Sequence, residues 1–391
     1  MNPRDISSPD RLLKIRSVEA FPISSPVKNG PILGIGQLTK RESVVVRIET
    51  EDGIVGYGEA HHGRAAASVA HLINHTLQHF AVGKSAADVV GIWDAIYTMQ
   101  LKSHGMGAAS SIGMSGIDLA LWDIRGKAVG WPLYRLLGGM SQDIPAYAGG
   151  VSLGWQPAAQ LVDEVQAALD EGYKAVKLRV GDNHVRDVER VAAVRAAIGD
   201  DVSIMVDANT NYDAATFRRA LPGFVAHDVF WIEEPFAPHD IDNYRLAAHL
   251  SSIPLAAGEN HYTRFEFNRV IEDGKITILQ PDVSKTGGIT ESMRIAAAAS
   301  AWKRMICPHT STTGLNMAAS VHLLCAIDNA GYFEGDVSVS NPFRDELTST
   351  PYMVGANGCV RPLEQPGIGV EVDEDYLRGN PTTEGLSYAA H

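Results

Sequence analysis

From residue 144 onward the chain falls into eight short apolar runs, at start-to-start steps of between 23 and 31 residues. They are IPAYAGG, AVKLRV, SIMVDAN, FWIEEP, LAAGEN, ILQPDV, RMICPHT and GYFEGD, starting at 144, 175, 203, 230, 255, 278, 304 and 331. Helix-like stretches such as PAAQLVDEVQAALDEG and VRDVERVAAVRAAIG lie between them. Non-alternating apolar runs that take turns with helices predict a parallel sheet covered by helices. Eight such units close naturally into a (β/α)8 (TIM-like) barrel. An open doubly wound sheet is the alternative, and it fits less well. Polar residues recur at the C-terminal end of nearly every run, and a barrel gathers those ends at one mouth, whereas an open sheet strings them along an edge.

The first third follows a different grammar. KIRSVEAFPI reads as a strand, SSPVKNGPILGIG as a loop, and ESVVVRIETEDGIVGYGEA as two β-branched runs around an Asp-Gly turn, the signature of a hairpin. Residues 65–137 carry apolar positions at three- and four-residue spacing and predict helices. The expected division is an α+β domain over 1–137, the barrel over 138–337, and loops with short strands over 338–391. The first dozen residues are polar and expected to be disordered, and the chain from about Asn380 is expected to be a flexible tail.

A net charge of −13 argues against nucleic acid and anionic membranes as partners, because both are polyanions. No run of about 18 apolar residues exists to span a bilayer, and the N-terminal stretch has no secretory apolar region. Cys307, Cys325 and Cys359 form no paired motif, so neither a disulfide framework nor a zinc site is expected. The reducing cytoplasm is the simplest location.

The ends of the eight runs hold the chemistry. The second gives Lys177 and Arg179, alternate residues that point the same way. The third, fourth and fifth give Asp207, Glu233 and Glu259, at equal intervals of 26 (233 − 207 and 259 − 233). The last three give Asp282, His309 and Glu334. One such acid alone reads as a helix cap or a surface acid. Three at one mouth would repel and shift upward in pKa unless a cation neutralised them. All-oxygen ligands suit Mg²⁺ rather than Zn²⁺. Glu234 is expected to point away by strand alternation, as a supporting or structural residue rather than a ligand. Asp282, one strand before His309, can hold the imidazole tautomer of a general base. Lys177 and Arg179 read as a carboxylate clamp, or as ion-pair partners of the acids. Glu334 reads as a protonated acid that hydrogen-bonds substrate, or as a structural residue.

Taken together, these fragments resemble the enolase superfamily, mandelate racemase subgroup. GIDLALWDIRGKAVGWPLYRLLGG is similar to that family's helical signature, and KLR, VDAN, WIEEP, GEN, PDVSKTGG, PHTSTTGLN and FEGD match it strand by strand. The resemblance implies a (β/α)8-type barrel under an N-terminal α+β capping domain that the C-terminal segment completes. It also implies Asp207, Glu233 and Glu259 as Mg²⁺ ligands, Asp282 and His309 as the acid/base pair, Glu334 beside the substrate carboxylate, and a homo-oligomer. Asp282 separates the chain from the muconate-cycloisomerase branch, which has a lysine there. Many relatives carry Lys-x-Lys where this chain has Lys177-x-Arg179. Arginine stays protonated and is a poor base, so one-base chemistry through His309 is favoured.

The implied reaction removes the proton α to a carboxylate in a small hydroxy-carboxylate. With a β-hydroxyl present, the outcome is dehydration to a 2-keto acid. The capping loops SSPVKNGP and EAHHGRA, with Lys28, Asn29, His61, His62 and Arg64, look polar and basic, suited to hydroxyls or a second carboxylate. Lys28, His61 and His62, with Asn209 and Asn260 beside two of the acids, are the candidate substrate contacts. A sugar-acid (aldonate or aldarate) dehydratase is the expectation. A 2-hydroxy-acid racemase or epimerase is the alternative, and a barrel that binds metal and sugar acid without turnover is a third reading.

Overall fold

The computed structural model describes residues 13–310 and 312–390, so the expectation for the first dozen residues lies outside the described chain. Five strands open it: β1 (Ile15–Pro26), β2 (Ile32–Leu33), β3 (Gly36–Leu38), β4 (Lys40–Thr50) and β5 (Val55–Ala60). Strands β1, β4 and β5 form an antiparallel sheet in that order. The β4–β5 hairpin pairs Val44 with Ala60 and Glu49 with Val55. Gly53 in its turn has φ 82°, a left-handed conformation that glycine adopts without penalty.

Three longer helices follow: α1 (Ala66–His75), α2 (Val89–Ile96) and α3 (Ala108–Val129). Helix α3 lies directly on the hairpin. A Cβ at Gly58 would sit 2.2 Å from the Gly116 carbonyl oxygen, so the strand and helix backbones touch. Residues Ser110–Leu121 are buried without interruption, as befits a helix covered on all sides. On its far side α3 grips the loop that follows Asp282. Ser111 Oγ donates to the Lys285 carbonyl (2.8 Å), Ser115 Oγ accepts from Gly287 N (2.8 Å), and Asp118 accepts from Thr290 N (3.0 Å).

After α4 (Leu133–Leu136) the strand–helix repeat begins. Its strands are β6 (Ile144–Gly149), β7 (Ala175–Arg179), β8 (Ser203–Asp207), β9 (Val229–Glu233), β10 (Leu255–Ala257), β11 (Ile278–Leu279), β12 (Met305–Ile306) and β13 (Phe333–Asp336). Each starts within two residues of an expected apolar run. They pair in parallel in the order β12-β11-β10-β9-β8-β7-β6-β13. Past β12, Ile306 N donates to Asn329 O (2.9 Å) and Gly331 N to Ile306 O (2.8 Å), which brings β12 against the chain entering β13. This curl is consistent with the expected (β/α)8 arrangement. Helices α5 (Ala158–Asp170), α6 (His184–Ile198), α7 (Ala214–Ala226), α8 (Ile241–Leu250), α9 (Thr263–Glu272), α10 (Gly288–Ala301) and α11 (Gly314–Leu324) alternate with the strands.

Inside the curl, Tyr147, Met205, Trp231, Ile278 and Cys307 pack into an apolar floor. Strand alternation then places Lys177, Asp207 and Glu233 two residues beyond Ala175, Met205 and Trp231, one layer nearer the mouth.

The segment after 337 touches both bodies. Strand β14 (Cys359–Val360) adds antiparallel to β6, while β15 (Tyr388–Ala389) adds antiparallel to β3. The expectation of a flexible tail from Asn380 is corrected here. Lys40 Nζ donates to the Thr383 carbonyl (2.5 Å), Thr382 Oγ1 donates to Glu42 (2.8 Å), and Ser387 Oγ donates to the same carboxylate. These long-range bonds tie down a stretch whose polar composition resembles that of a free tail.

Candidate active site

Three acids end three adjacent parallel strands. Asp207 and Glu233 close β8 and β9 in register with one another, and Glu259 stands two residues past β10. Buried carboxylates require partners, and the protein supplies its own. Lys177, 0% exposed, holds Nζ 2.7 Å from Glu233 Oε1, 2.8 Å from Glu334 Oε1 and 3.6 Å from Asp207 Oδ2. Burial alone would lower its pKa, but the Glu233 and Glu334 carboxylates outweigh burial and hold it above the ordinary lysine value. Arg179 Nη1 donates to Asp207 and to Asn209 Oδ1 (3.3 Å), and Nη2 donates to the Gly150 carbonyl (2.5 Å). The clamp expected on this strand is therefore also the counter-charge for the acids.

Glu233 accepts from Trp231 Nε1 (3.2 Å) and Gln280 Nε2 (2.6 Å), and burial pushes its pKa up to about 7 against the pull of Lys177. Glu334 goes the other way. Burial would raise it, yet Lys177 and His309 bring it down to about 2, and Gly150 N and Thr310 N each donate to it at 3.1 Å. It is an ionised acceptor, which corrects the expectation of a protonated acid.

His309 and Asp282 form the expected dyad, with Nδ1 2.8 Å from Asp282 Oδ2. The other oxygen of Asp282 is fixed by Ser284 N (2.7 Å), Ser284 Oγ (2.6 Å) and Asn316 Nδ2 (2.7 Å). With its carboxylate immobilised, Asp282 sets the imidazole's orientation. His309 Nε2 lies 3.0 Å from Glu259 Oε2. Burial would lower the imidazole pKa, but Glu259 and the Asp282 hydrogen bond raise it to about 9. Glu259 is brought down to about 2, burial being overcome by His309 and Lys285.

Arg179, Lys177 and His309 thus stand on the three acids, and among the described residues no group of three ligands converges on one point. The donor chemistry nonetheless suits a hard divalent cation, since it is carboxylate oxygen throughout. Glu234 adds a specific sign. Its Oε1 is buried with no hydrogen-bond partner among the described residues, and burial together with Glu259 and Asp207 pushes its pKa well up. Such an excess of negative charge is what a cation relieves. The expectation that Glu234 points away is corrected as well. It lies past the end of β9 with φ 35°, where alternation no longer applies, and its Oε2 accepts from Asn260 Nδ2 (2.7 Å).

A cavity opens over His309 and Glu259, with Asn209, Asn260, His61 and His62 on its walls. The two histidines stack with ring centroids 4.1 Å apart. Burial lowers both, His62 to about 4, so they are neutral rather than the basic pair expected. Lys28 does not reach this cavity. It is exposed on an outer groove beside Trp155 and Val339, because the loop after β1 turns back to bond Val27 N to the Thr39 carbonyl (2.8 Å). Residues not among the expected substrate contacts take its place on the wall: Arg41, Glu42, Lys285 and Tyr388. Of these only Lys285, in the PDVSKTGG stretch, carried a local signal.

Comparison with known proteins identifies the family. The family described as mandelate racemase / muconate lactonizing enzyme, N-terminal domain, matches residues 17–138, and that described as enolase C-terminal domain-like matches residues 160–376. A 3,6-anhydro-alpha-L-galactonate cycloisomerase of Streptomyces coelicolor is 32% identical over 88% of this chain and 92% of its own. A D-galactonate dehydratase of Variovorax paradoxus is 34% identical over 85% and 89%. Among solved structures, an enolase-superfamily member from a Polaromonas species is 49% identical with TM-score 0.94, covering 96% of this chain and 100% of that one. A racemase from Streptomyces coelicolor with bound magnesium is 29% identical with TM-score 0.87, covering 94% and 100%. With both halves of the family matched and the strand-end residues in place, the chain belongs to the mandelate racemase group of the enolase superfamily.

Proposed function

We propose that this protein is a Mg²⁺-dependent sugar-acid dehydratase built on a closed (β/α)8 barrel, with 1–137 as cap, 138–337 as catalytic domain and 338–391 as the returning segment. The observation that carries the reading is the dyad. Asp282, itself held by three donors, fixes His309 Nδ1 at 2.8 Å and leaves Nε2 on the cavity side beside Glu259. The dehydratase and cycloisomerase names of the relatives support the same proton abstraction.

Asp207, Glu233 and Glu259 would hold Mg²⁺, with Glu234 close behind. When bound, the ion supplies positive charge to a carboxylate whose α-carbon is losing a proton. The chain's own residues do the rest. Once Glu259 no longer pairs with it, His309 loses its Nε2 proton to solvent; the neutral imidazole then takes the proton from C2, and Asp282 stabilises the imidazolium. Lys177, kept charged by the surrounding carboxylates in spite of its burial, faces the negative charge that develops on the substrate carboxylate. The C3–OH bond then breaks as imidazolium gives its proton to the departing hydroxyl. Water leaves, and the enol at C2 tautomerises to the 2-keto-3-deoxy acid. Arg179 is always cationic and cannot serve as the second base of a racemase.

A panel of aldonates and aldarates, assayed with Mg²⁺ for semicarbazide-reactive 2-keto acid, tests the reading. At least one acid should be dehydrated, and His309→Asn should lower turnover by about 10³-fold or more. Deuterium uptake at C2 with no loss of water would favour the racemase, and an isomeric product would favour a cycloisomerase.

A further inference from the structure

The cap side of the cavity carries a group that the proton-transfer machinery does not use. Arg41, near the start of β4, is 5% exposed and lines the cavity. Its Nε donates to the Ser340 carbonyl (3.2 Å), and among the described residues its two terminal nitrogens have no partner. Tyr388 of β15 lines the same wall, and its hydroxyl likewise makes no hydrogen bond to a described residue. The guanidinium of Arg64 stands 5.4 Å from the Tyr388 ring centroid, also facing the cavity.

The acids on this wall are already committed. Glu42 is bound by Lys40 (2.8 Å), Thr382 (2.8 Å) and Ser387. Asp336 accepts from Ser338 N (2.9 Å) and from Asn341 Nδ2 (2.6 Å). The polar groups left over are therefore two guanidinium ions, a phenol, and the Nε2 atoms of His61 and His62, whose Nδ1 atoms accept backbone N–H groups; all of them can donate. An arginine placed only to anchor Ser340 would not turn its remaining N–H groups into a cavity. Arg41 is largely buried as a residue while its terminal nitrogens lack an acceptor among the described residues, so an anion in the cavity would give them paired, charge-assisted hydrogen bonds.

We infer that Arg41, Arg64 and Tyr388 form a second anion subsite, which takes the distal carboxylate of a dicarboxylic sugar acid. The orientation rests on the dehydratase reading: the reacting carboxylate faces Lys177 and the acids of the sheet, so the far end of the substrate meets the cap. A mono-acid offers a hydroxyl there, which leaves the guanidinium charge uncompensated. Selection of this kind, where the wrong ligand strands buried polar groups, is strong.

The test uses the full chain with Mg²⁺ and two matched pairs, D-galactarate with D-galactonate and D-glucarate with D-gluconate. Binding is measured by calorimetry and turnover by 2-keto acid release. The expected result is that the diacid of at least one pair binds about 10²-fold more tightly than its mono-acid. Arg41→Gln should cut that ratio by about tenfold or more, and Arg41→Lys should restore part of it. Arg64→Gln and Tyr388→Phe, on more exposed positions, should lower the ratio in the same direction and carry the test if Arg41→Gln melts early. Equal affinity within both pairs, or a ratio indifferent to all three substitutions, overturns the subsite. Diacid binding that depends on Arg41 without keto-acid release keeps the subsite and overturns the dehydratase reading. Dehydration indifferent to Arg41 does the reverse.

Discussion

Glu233 and Glu234 are neighbours in sequence with opposite circumstances. Glu233 has both oxygens engaged by Lys177, Trp231 and Gln280, whereas Glu234 has one oxygen with no partner among the described residues. For a cation, Glu233 is the proposed ligand and Glu234 the carboxylate that supports it through Asn260. Glu233→Gln should weaken Mg²⁺ binding by about 10²-fold, and Glu234→Gln by about tenfold, in a calorimetric titration. The reverse order would exchange their roles. At this scale much was legible in the sequence, because Asp207, Glu233, Glu259, Asp282 and His309 each sit at or just past the end of an apolar run, which gathers them at one end of the parallel sheet. What was not legible depends on pairing across distance. The ionised state of Glu334 comes from Lys177 and His309, and the neutrality of His62 comes from burial. Lys28 looked like a pocket residue only because loop composition says nothing of where a loop turns.

Between elements, one of the buried carboxyls at which the first domain meets the strand–helix repeat is that of Glu59. Glu59 at the end of β5 accepts from Ser43 Oγ (3.0 Å) and from Thr313 Oγ1 (2.6 Å), just ahead of α11. Burial raises its pKa to about 8, against an ordinary value of 4.5. The folded protein therefore binds a proton that the unfolded chain releases. The stabilisation linked to that proton is complete below pH 4.5 and is lost as pH rises toward 8. Denaturant titrations of the metal-free protein should show this decline, and Glu59→Gln should flatten it. An unchanged slope would assign the decline to another group. Helix α3 extends the same junction by gripping the loop at 285–290 behind Asp282. The strands and helices themselves were readable from periodicity. The bonds between α3 and that loop were not, since they join residues about 170 apart through small hydroxyls.

For the molecule as a whole, the crowded carboxylates make cation binding an exchange. A divalent ion would take Asp207 from Arg179 and Glu259 from His309, so its binding energy is net of those lost pairs. A ligand that binds only the folded state still stabilises it by mass action, by about 2.7 kcal/mol at a hundredfold excess over Kd. Saturating Mg²⁺ should therefore raise the melting temperature, and Asp207→Asn should abolish the rise. A shift that persisted in this variant would place the ion elsewhere. The segment after 337 bears on the history of the chain as well as on its final form. Ile23 bridges Pro381, Glu42 is held by Ser387, and Leu38 pairs with Tyr388, each joining an early strand to residues more than 340 positions later. Contacts so distant along the chain form late and slowly. During synthesis the first domain must wait, one wall missing, while the entire sheet is made. The cavity over His309 completes its cap-side wall only when residues near 388 leave the ribosome, so substrate selection comes long after the strands of the first domain have been made.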